Sequence, residues 1–133
     1  MNHKDSCVQY ISFDRVAQKV ASYGSGSLMA KLDLSDAYKH IIISETRRLG
    51  CSWTNQNTTL TEHYLDLTLP FGLRSSAKWF TEFAYALKLS MEYGGVSDVE
   101  HYLDDYITIG PPDSPVCGDN LGIMLSKCAF IGI

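Results

Sequence analysis

Hydrophobic and polar positions alternate on both sides of an acidic pair in the segment 100–109. The pair is Asp104–Asp105, and apolar, β-prone residues flank it. Such alternation predicts a β-hairpin with Asp104 and Asp105 at its tip. Two carboxylates at a tight turn repel each other unless a cation neutralises them, and Mg²⁺ prefers oxygen ligands. The tip is therefore a candidate Mg²⁺ site, although an acidic pair is also common in an ordinary solvated turn.

Apolar residues recur at helical spacing in three other segments, which predict helices over 12–23, 76–93 and 116–130. The first helix is expected to pack through an apolar face that includes Phe13. On the second helix, an aromatic stripe that includes Trp79 is expected to lie in the core.

Shorter apolar runs predict strands near 28–34, 98–103 and 106–110. Two further runs, 48–54 and 59–69, flank a polar loop and predict a separate hairpin whose second arm packs on one side. The whole pattern predicts an α+β fold, in which helices back an antiparallel sheet.

Composition narrows the function classes. The chain has 133 residues, 45% of them hydrophobic, which is typical of one globular domain. Its net charge of −4 disfavours a free-standing nucleic-acid binder, whose affinity comes largely from phosphate neutralisation. Segment 98–119 holds six acids and no Lys or Arg, whereas most basic residues come earlier. An acidic centre beside a more basic half suits metal-dependent phosphate chemistry.

A second acidic site lies upstream. Asp33 ends an apolar strand, where a buried carboxylate needs a partner or a metal. Asp36 follows in a turn and is expected to act as its cap. The four cysteines, Cys7, Cys51, Cys117 and Cys128, lack metal-site spacing and are expected to be thiols of a reducing compartment. No signal peptide or membrane span is expected, which favours an intracellular location and no membrane partner.

Three motifs follow one another along the chain: Leu32-Asp33-Leu34-Ser35-Asp36-Ala37-Tyr38, Leu69-Pro70-Phe71-Gly72-Leu73-Arg74 and Tyr102-Leu103-Asp104-Asp105. In this order and spacing they resemble the palm of reverse transcriptases. Further runs, such as Gly-Pro-Pro-x-Ser-Pro-x-Cys at 110–117, are similar to retroelements that use a tyrosine recombinase. The resemblance extends from about Phe13 to the end. It implies that 1–133 form a palm with part of the fingers, including a fingers hairpin, without thumb or RNase H.

The resemblance also implies an activity and site residues. Asp33 and Asp104 would hold two Mg²⁺ ions, with Mn²⁺ as a possible substitute, and Asp105 would support them. The reaction would be RNA-directed transfer of deoxynucleotides onto a primer 3′-hydroxyl paired with an RNA or DNA template. The residues implied to meet the incoming nucleotide are Asp36, Ala37, Tyr38, Phe71 and Gly72. Tyr38 would exclude a 2′-hydroxyl, and the primer and template would contact Tyr102 and Arg74.

The sequence departs from the family at several points. Phe71 replaces the Gln of retroviral enzymes, and Ala77 stands where relatives often have Pro. The basic fingers residues and a downstream lysine near the leaving group have no counterpart here. Two other hypotheses stay open: an inactive retroelement relic and a non-catalytic nucleic-acid-binding module. A Mg²⁺ phosphohydrolase could also use clustered acids, but it would not account for Tyr38 or the loop at 69–73.

Overall fold

The computed structural model describes residues 11–45 and 48–133. The helices in this part of the chain are α1 (Phe13–Tyr23), α2 (Arg74–Tyr93) and α3 (Val116–Ile131). The strands are β1 (Leu28–Asp33), β2 (Leu49–Thr54), β3 (Thr61–Asp66), β4 (Val99–Tyr102) and β5 (Asp105–Gly110). A short 3₁₀ helix spans Ala37–His40. The predicted α+β class is confirmed.

The central sheet has three antiparallel strands in the order β1-β5-β4. β1 pairs with β5 from Leu28 opposite Gly110 to Asp33 opposite Asp105. β4 pairs with β5 so that Tyr102 also lies opposite Asp105. Because directly opposed residues of an antiparallel sheet share a face, each register row across the three strands presents its side chains together.

The core lies where α2 and α3 pack against one face of this sheet. Its fully buried side chains include Phe80 and Met91 of α2, Met124 of α3 and Tyr106 of β5. The Tyr106 hydroxyl donates a 2.9 Å hydrogen bond to the carbonyl oxygen of Ala84. This bond satisfies a polar group that would otherwise be costly to bury, and it ties β5 to α2.

Helix α1 does not pack as predicted. It has no buried residue, and Phe13 is 83% exposed. Instead, α1 is attached through polar groups: Lys19 forms ion pairs with Asp98 and Glu100, and the Tyr23 hydroxyl donates to Asp98 at 3.2 Å. The periodic apolar residues therefore predicted the helix correctly. Its attachment to the sheet, however, is made by polar and charged residues of the same helix.

The separate hairpin is also more exposed than predicted. β2 and β3 pair with each other and do not extend the central sheet. Trp53 of the first arm and Leu65 of the second are exposed, whereas Leu69 at the end of the second arm is buried in the core. The prediction of a packed second arm is therefore wrong for β3 and correct for Leu69. Trp79 of α2 is exposed too, contrary to its predicted place in the core, since it lines an open groove beside the α2 N-terminus. The identification of this hairpin with polymerase fingers stays a prediction.

Cysteines and membrane propensity can be checked for the described residues. Cys117 and Cys128 are buried, Cys51 is exposed, and all three are free thiols, as expected. Cys7 lies outside the described residues. No helix within 11–45 and 48–133 has both the length and the apolar composition needed to cross a bilayer.

Candidate functional site

The β4–β5 hairpin turns at Leu103 and Asp104. The prediction of a tip at Asp104–Asp105 is therefore wrong by one residue, because Asp105 already pairs with Tyr102 and opens β5. Leu103 has φ 54°, a left-handed conformation that is uncommon for a residue with a branched apolar side chain. Its side chain packs against the core, and this contact helps to offset the strain.

Three predicted site residues form one row across the open end of the sheet. Asp33 on β1 and Tyr102 on β4 both lie opposite Asp105, which is on the middle strand. The three side chains therefore share a face. Asp104, the remaining predicted metal ligand, lies in the adjoining turn. Its carbonyl oxygen accepts a 3.1 Å hydrogen bond from the Leu34 N–H. The fold thus brings acids from two distant motifs to one end of one sheet. We refer to Asp33 and Asp105, together with the adjoining Asp104, as the acidic row.

The carboxyl groups of this row influence each other directly. A hydrogen bond with Asp105 is the main cause that raises the pKa of Asp33, and the charges of Asp105 and Asp104 act in the same direction. Lys31 lies 2.8 Å from an Asp105 carboxylate oxygen, and this contact lowers the pKa of Asp105. Among the described residues, Lys31 is the only cation that forms an ion pair with any of Asp33, Asp104 and Asp105, and its partner is Asp105.

The donor set can be compared with the needs of Mg²⁺. No group of three or more His, Cys, Asp or Glu side chains within the described residues converges tightly enough to hold an ion in this arrangement. The chemistry of the donors nevertheless fits a divalent ion, since the row offers carboxylate oxygens and an excess of negative charge over Lys31. Asp33, Asp104 and Asp105 are the residues that would hold it, once their side chains converged on the ion.

Two predicted nucleotide-binding residues contact each other. The ring of Tyr38 stacks on Phe80, with centroids 4.8 Å apart and planes at 18°. The ring of Phe71 lies on Tyr38 with the same centroid distance and a tilt of 41°. Phe80 is fully buried whereas Phe71 is 66% exposed, so the stack runs from the core to the surface. This arrangement gives Tyr38 a fixed ring position.

Lys39, which was not predicted as a site residue, connects this stack to β3. Its ammonium lies 5.9 Å from the centroid of the Phe71 ring and 2.9 Å from the Asp66 carboxylate. Asp66 also accepts hydrogen bonds from Thr68, and together these contacts lower the pKa of Asp66 to about 2. Lys39 therefore links the 3₁₀ helix, the Phe71 loop and the separate hairpin.

The remaining predicted residues lie around the stack. Asp36 precedes the 3₁₀ helix with φ 52°, and its side chain makes no capping hydrogen bond, contrary to its predicted role as a cap. Ala37 is buried in the core. Gly72 has φ 83°, which a residue with a Cβ atom rarely adopts, and it turns the chain towards α2. Arg74 begins α2, and its side chain lies outside what the structure describes.

No family model matches the chain, and no curated protein matches it either. The relation to reverse transcriptases rests on the three motifs alone and stays a prediction.

Sequence reasoning missed a buried charge cluster next to the row. Glu100 of β4 is 3% exposed, and its carboxylate lies 2.9 Å from basic groups of Arg15, Lys19 and Lys88. Burial raises the pKa of Glu100, but hydrogen bonds from Lys88 and Lys19 outweigh this effect and lower it. A signal was present in the sequence, because Arg15 and Lys19 are four residues apart and share a helix face.

An apolar groove of about 690 Å³ lies elsewhere, between the 41–44 segment and α2. Its lining includes Leu69, Pro70, Trp79 and Phe83, and it contains none of the three aspartates. The groove and the acidic row are therefore separate features.

Proposed function

We propose that this chain is the palm of a two-metal nucleotidyltransferase, an RNA-directed DNA polymerase that extends a primer with deoxynucleotides. The observation that carries the proposal is the direct opposition of Asp33 and Asp105, with Asp104 in the adjoining turn. Residues 33 and 104 belong to motifs about seventy positions apart. Their meeting at one sheet end is what a shared divalent-ion site requires.

In this proposal the acids divide the work. Asp33 and Asp104 are the metal ligands, and Asp105, which already carries the Lys31 ion pair, supports them. When bound, a pair of Mg²⁺ ions would activate the primer 3′-hydroxyl and neutralise charge on the transferred phosphoryl group. The excess negative charge of the row favours the capture of divalent ions from solution.

The Tyr38–Phe71 stack is the proposed nucleotide platform. Tyr38 is braced from behind by buried Phe80, so its ring cannot easily yield to a bulkier sugar. A rigid wall of this kind discriminates by steric exclusion and would reject the 2′-hydroxyl of a ribonucleotide. Asp36, Ala37 and Gly72 supply backbone close to the stack, where N–H groups could meet phosphate oxygens.

The primer and template are assigned to the open face of the row. Tyr102 is half exposed beside Asp105, which suits a contact with the primer end. Arg74 at the start of α2 is retained as a template contact from its motif position. Base pairing would then select each nucleotide, while the protein contacts the shape and backbone of the duplex.

Primer extension tests the proposal. The wild-type chain is incubated with a primed RNA or DNA template, deoxynucleotides and Mg²⁺, beside Asp33→Asn and Asp104→Ala. We expect extension by the wild type and a loss on the order of a hundredfold or more in both variants. Asp113→Asn is the matched control, because Asp113 lies in the exposed loop after β5 with φ 54°, a conformation that Asn tolerates.

The outcomes separate the competing hypotheses. Extension that is equal in wild type and Asp104→Ala would refute the assigned site. The absence of extension in every protein would identify an inactive relic. Duplex binding that depends on salt but not on metal, without extension, would favour the nucleic-acid-binding module.

A further inference from the structure

We propose that Lys31 is a built-in counter-cation of the acidic row, which holds Asp105 when no metal is bound and competes with the divalent ion for the same carboxylate. This inference rests on the proposed function, because it takes the row as the metal site. Lys31 is thereby assigned as a positioning residue and not as a catalytic one.

The register places Lys31 for this role. Lys31 lies two residues before Asp33 on β1, so both side chains project from the same face of the sheet. Its own row partner is Ile107, yet its ammonium crosses diagonally to Asp105 and approaches a carboxylate oxygen to 2.8 Å. The side chain therefore leaves its own row to join the acids.

The ion pair reduces the repulsion among the carboxylates of the acidic row. Three aspartates meet at this end of the sheet, and among the described residues Lys31 alone forms an ion pair in this group, with Asp105. The charges of Asp33 and Asp104 also act on its ammonium. Without it, adjacent carboxylates would repel one another more strongly in the metal-free protein. With all three carboxylates ionised, the ammonium leaves the group with a net charge of −2, which one divalent ion would neutralise.

The exposure of Lys31 makes the exchange feasible. Its side chain is 60% exposed, so it can move into solvent without disturbing the core. A divalent ion that enters the row repels the ammonium and also competes for the Asp105 oxygens. Metal affinity is therefore set lower than the three carboxylates alone would give, and Asp105 is already oriented before the metal arrives.

The test compares Lys31→Met, which removes the charge and keeps most of the side-chain stem, with Lys31→Arg, which keeps the charge. Binding of Mn²⁺ is measured by the loss of the free-ion signal in electron paramagnetic resonance. Thermal unfolding in a chelator reports the metal-free protein. Asp33→Asn in the Lys31→Met background checks that the ion binds at the row.

We expect Lys31→Met to bind Mn²⁺ roughly three- to tenfold more tightly than wild type, because a unit charge close to a divalent ion has been removed. Its unfolding midpoint in chelator should fall, since the acids lose their counter-cation. Lys31→Arg should resemble wild type in both measurements. Asp33→Asn in the Lys31→Met background should lose the binding.

Three results would count against parts of this scheme in different ways. Equal or weaker Mn²⁺ binding by Lys31→Met, with normal binding by wild type, would overturn the role of Lys31 and leave the metal site intact. No Mn²⁺ binding by any variant would overturn both proposals. Tighter binding by Lys31→Met without primer extension would support the role of Lys31 and refute the polymerase, since this comparison needs binding only.

Discussion

Two carboxylate sites lie two register rows apart, and so on the same face of the central sheet, and they are neutralised very differently. Glu100 shares its row with Ile107 and Lys31, whereas Asp33, Asp105 and Tyr102 form the row beside the turn. Glu100 is buried beneath basic side chains of α1 and α2. Asp33 is exposed and Asp104 and Asp105 are half-buried, and in the described part of the chain the cation of this group is Lys31, paired with Asp105.

The difference distinguishes a carboxylate whose charge is neutralised within the protein from carboxylates whose charge is only partly neutralised. Glu100 meets Arg15, Lys19 and Lys88, so its charge is compensated within the protein. Such compensation makes a buried acid costly to remove, since its loss would leave three clustered cations with one anionic partner fewer. The aspartate row is short of positive charge, and an external cation would stabilise it. The following predictions test this contrast, from the largest expected effect to the smallest.

Replacing the buried acid should give the largest effect. Glu100→Gln removes the charge that holds Lys88 and Lys19, and we expect a loss of about 3 kcal/mol in the free energy of unfolding. Urea denaturation measures this loss. Glu45→Gln is the matched control, because the Glu45 side chain is 86% exposed, and its effect should stay within roughly 0.5 kcal/mol. A similar small loss for both variants would remove the contrast between the two sites.

Lowering the pH should reduce the difference in the free energy of unfolding between the wild type and Glu100→Gln. The pKa of Glu100 is lowered in the folded state, because hydrogen bonds from Lys88 and Lys19 outweigh burial. The stabilisation is therefore complete above the unfolded pKa of about 4.3 and is lost as the pH falls through the lower folded value. Urea denaturation of both proteins from neutral pH down to about pH 3 should show converging stabilities. A constant difference over this range would show that ionisation of Glu100 is not its cause.

The smallest effect should come from the exposed row and should have the opposite sign. The pKa of Asp33 is raised, chiefly by its hydrogen bond with Asp105, so the ionised form costs folding stability at neutral pH. This cost disappears as the pH falls through the folded pKa of Asp33. In a chelator at pH 7, Asp33→Asn should therefore raise the unfolding midpoint slightly, with Asp113→Asn unchanged. A clear fall in the midpoint would show that Asp33 stabilises the fold.

Much of the fold follows from local patterns in the sequence. Alternation around 100–109 predicted the β4–β5 hairpin, and helical spacing predicted α2 and α3 within two residues at each end. The two acidic motifs also met as expected, because Asp33 ends one strand of the pair and Asp105 begins the other. These features depend on periodicity and strand ends, which one sequence displays directly.

The errors concern contacts between distant segments. The turn lies one residue earlier than predicted, because the cross-strand pairing of Tyr102 with Asp105 fixes its position. That pairing cannot be inferred from either residue alone. The packing of α1 was mispredicted because its partner, Glu100, lies some eighty positions away. The exposure of Trp53 and Trp79 was missed for the same reason, because an apolar residue in the sequence does not indicate which other segment, if any, packs against it.

The two-residue turn at Leu103 and Asp104 makes β5 far more sensitive to changes in length than to changes in side chain. One added or deleted residue there would rotate every following position to the other side of the strand. Tyr106 would then exchange its bond with Ala84 for solvent, and the Asp105 carboxylate would be driven among Phe80 and Met91. Among natural variants of this chain, we therefore expect a fixed spacing between Tyr102 and Tyr106, even where hairpin side chains other than Glu100, Asp104 and Asp105 are substituted.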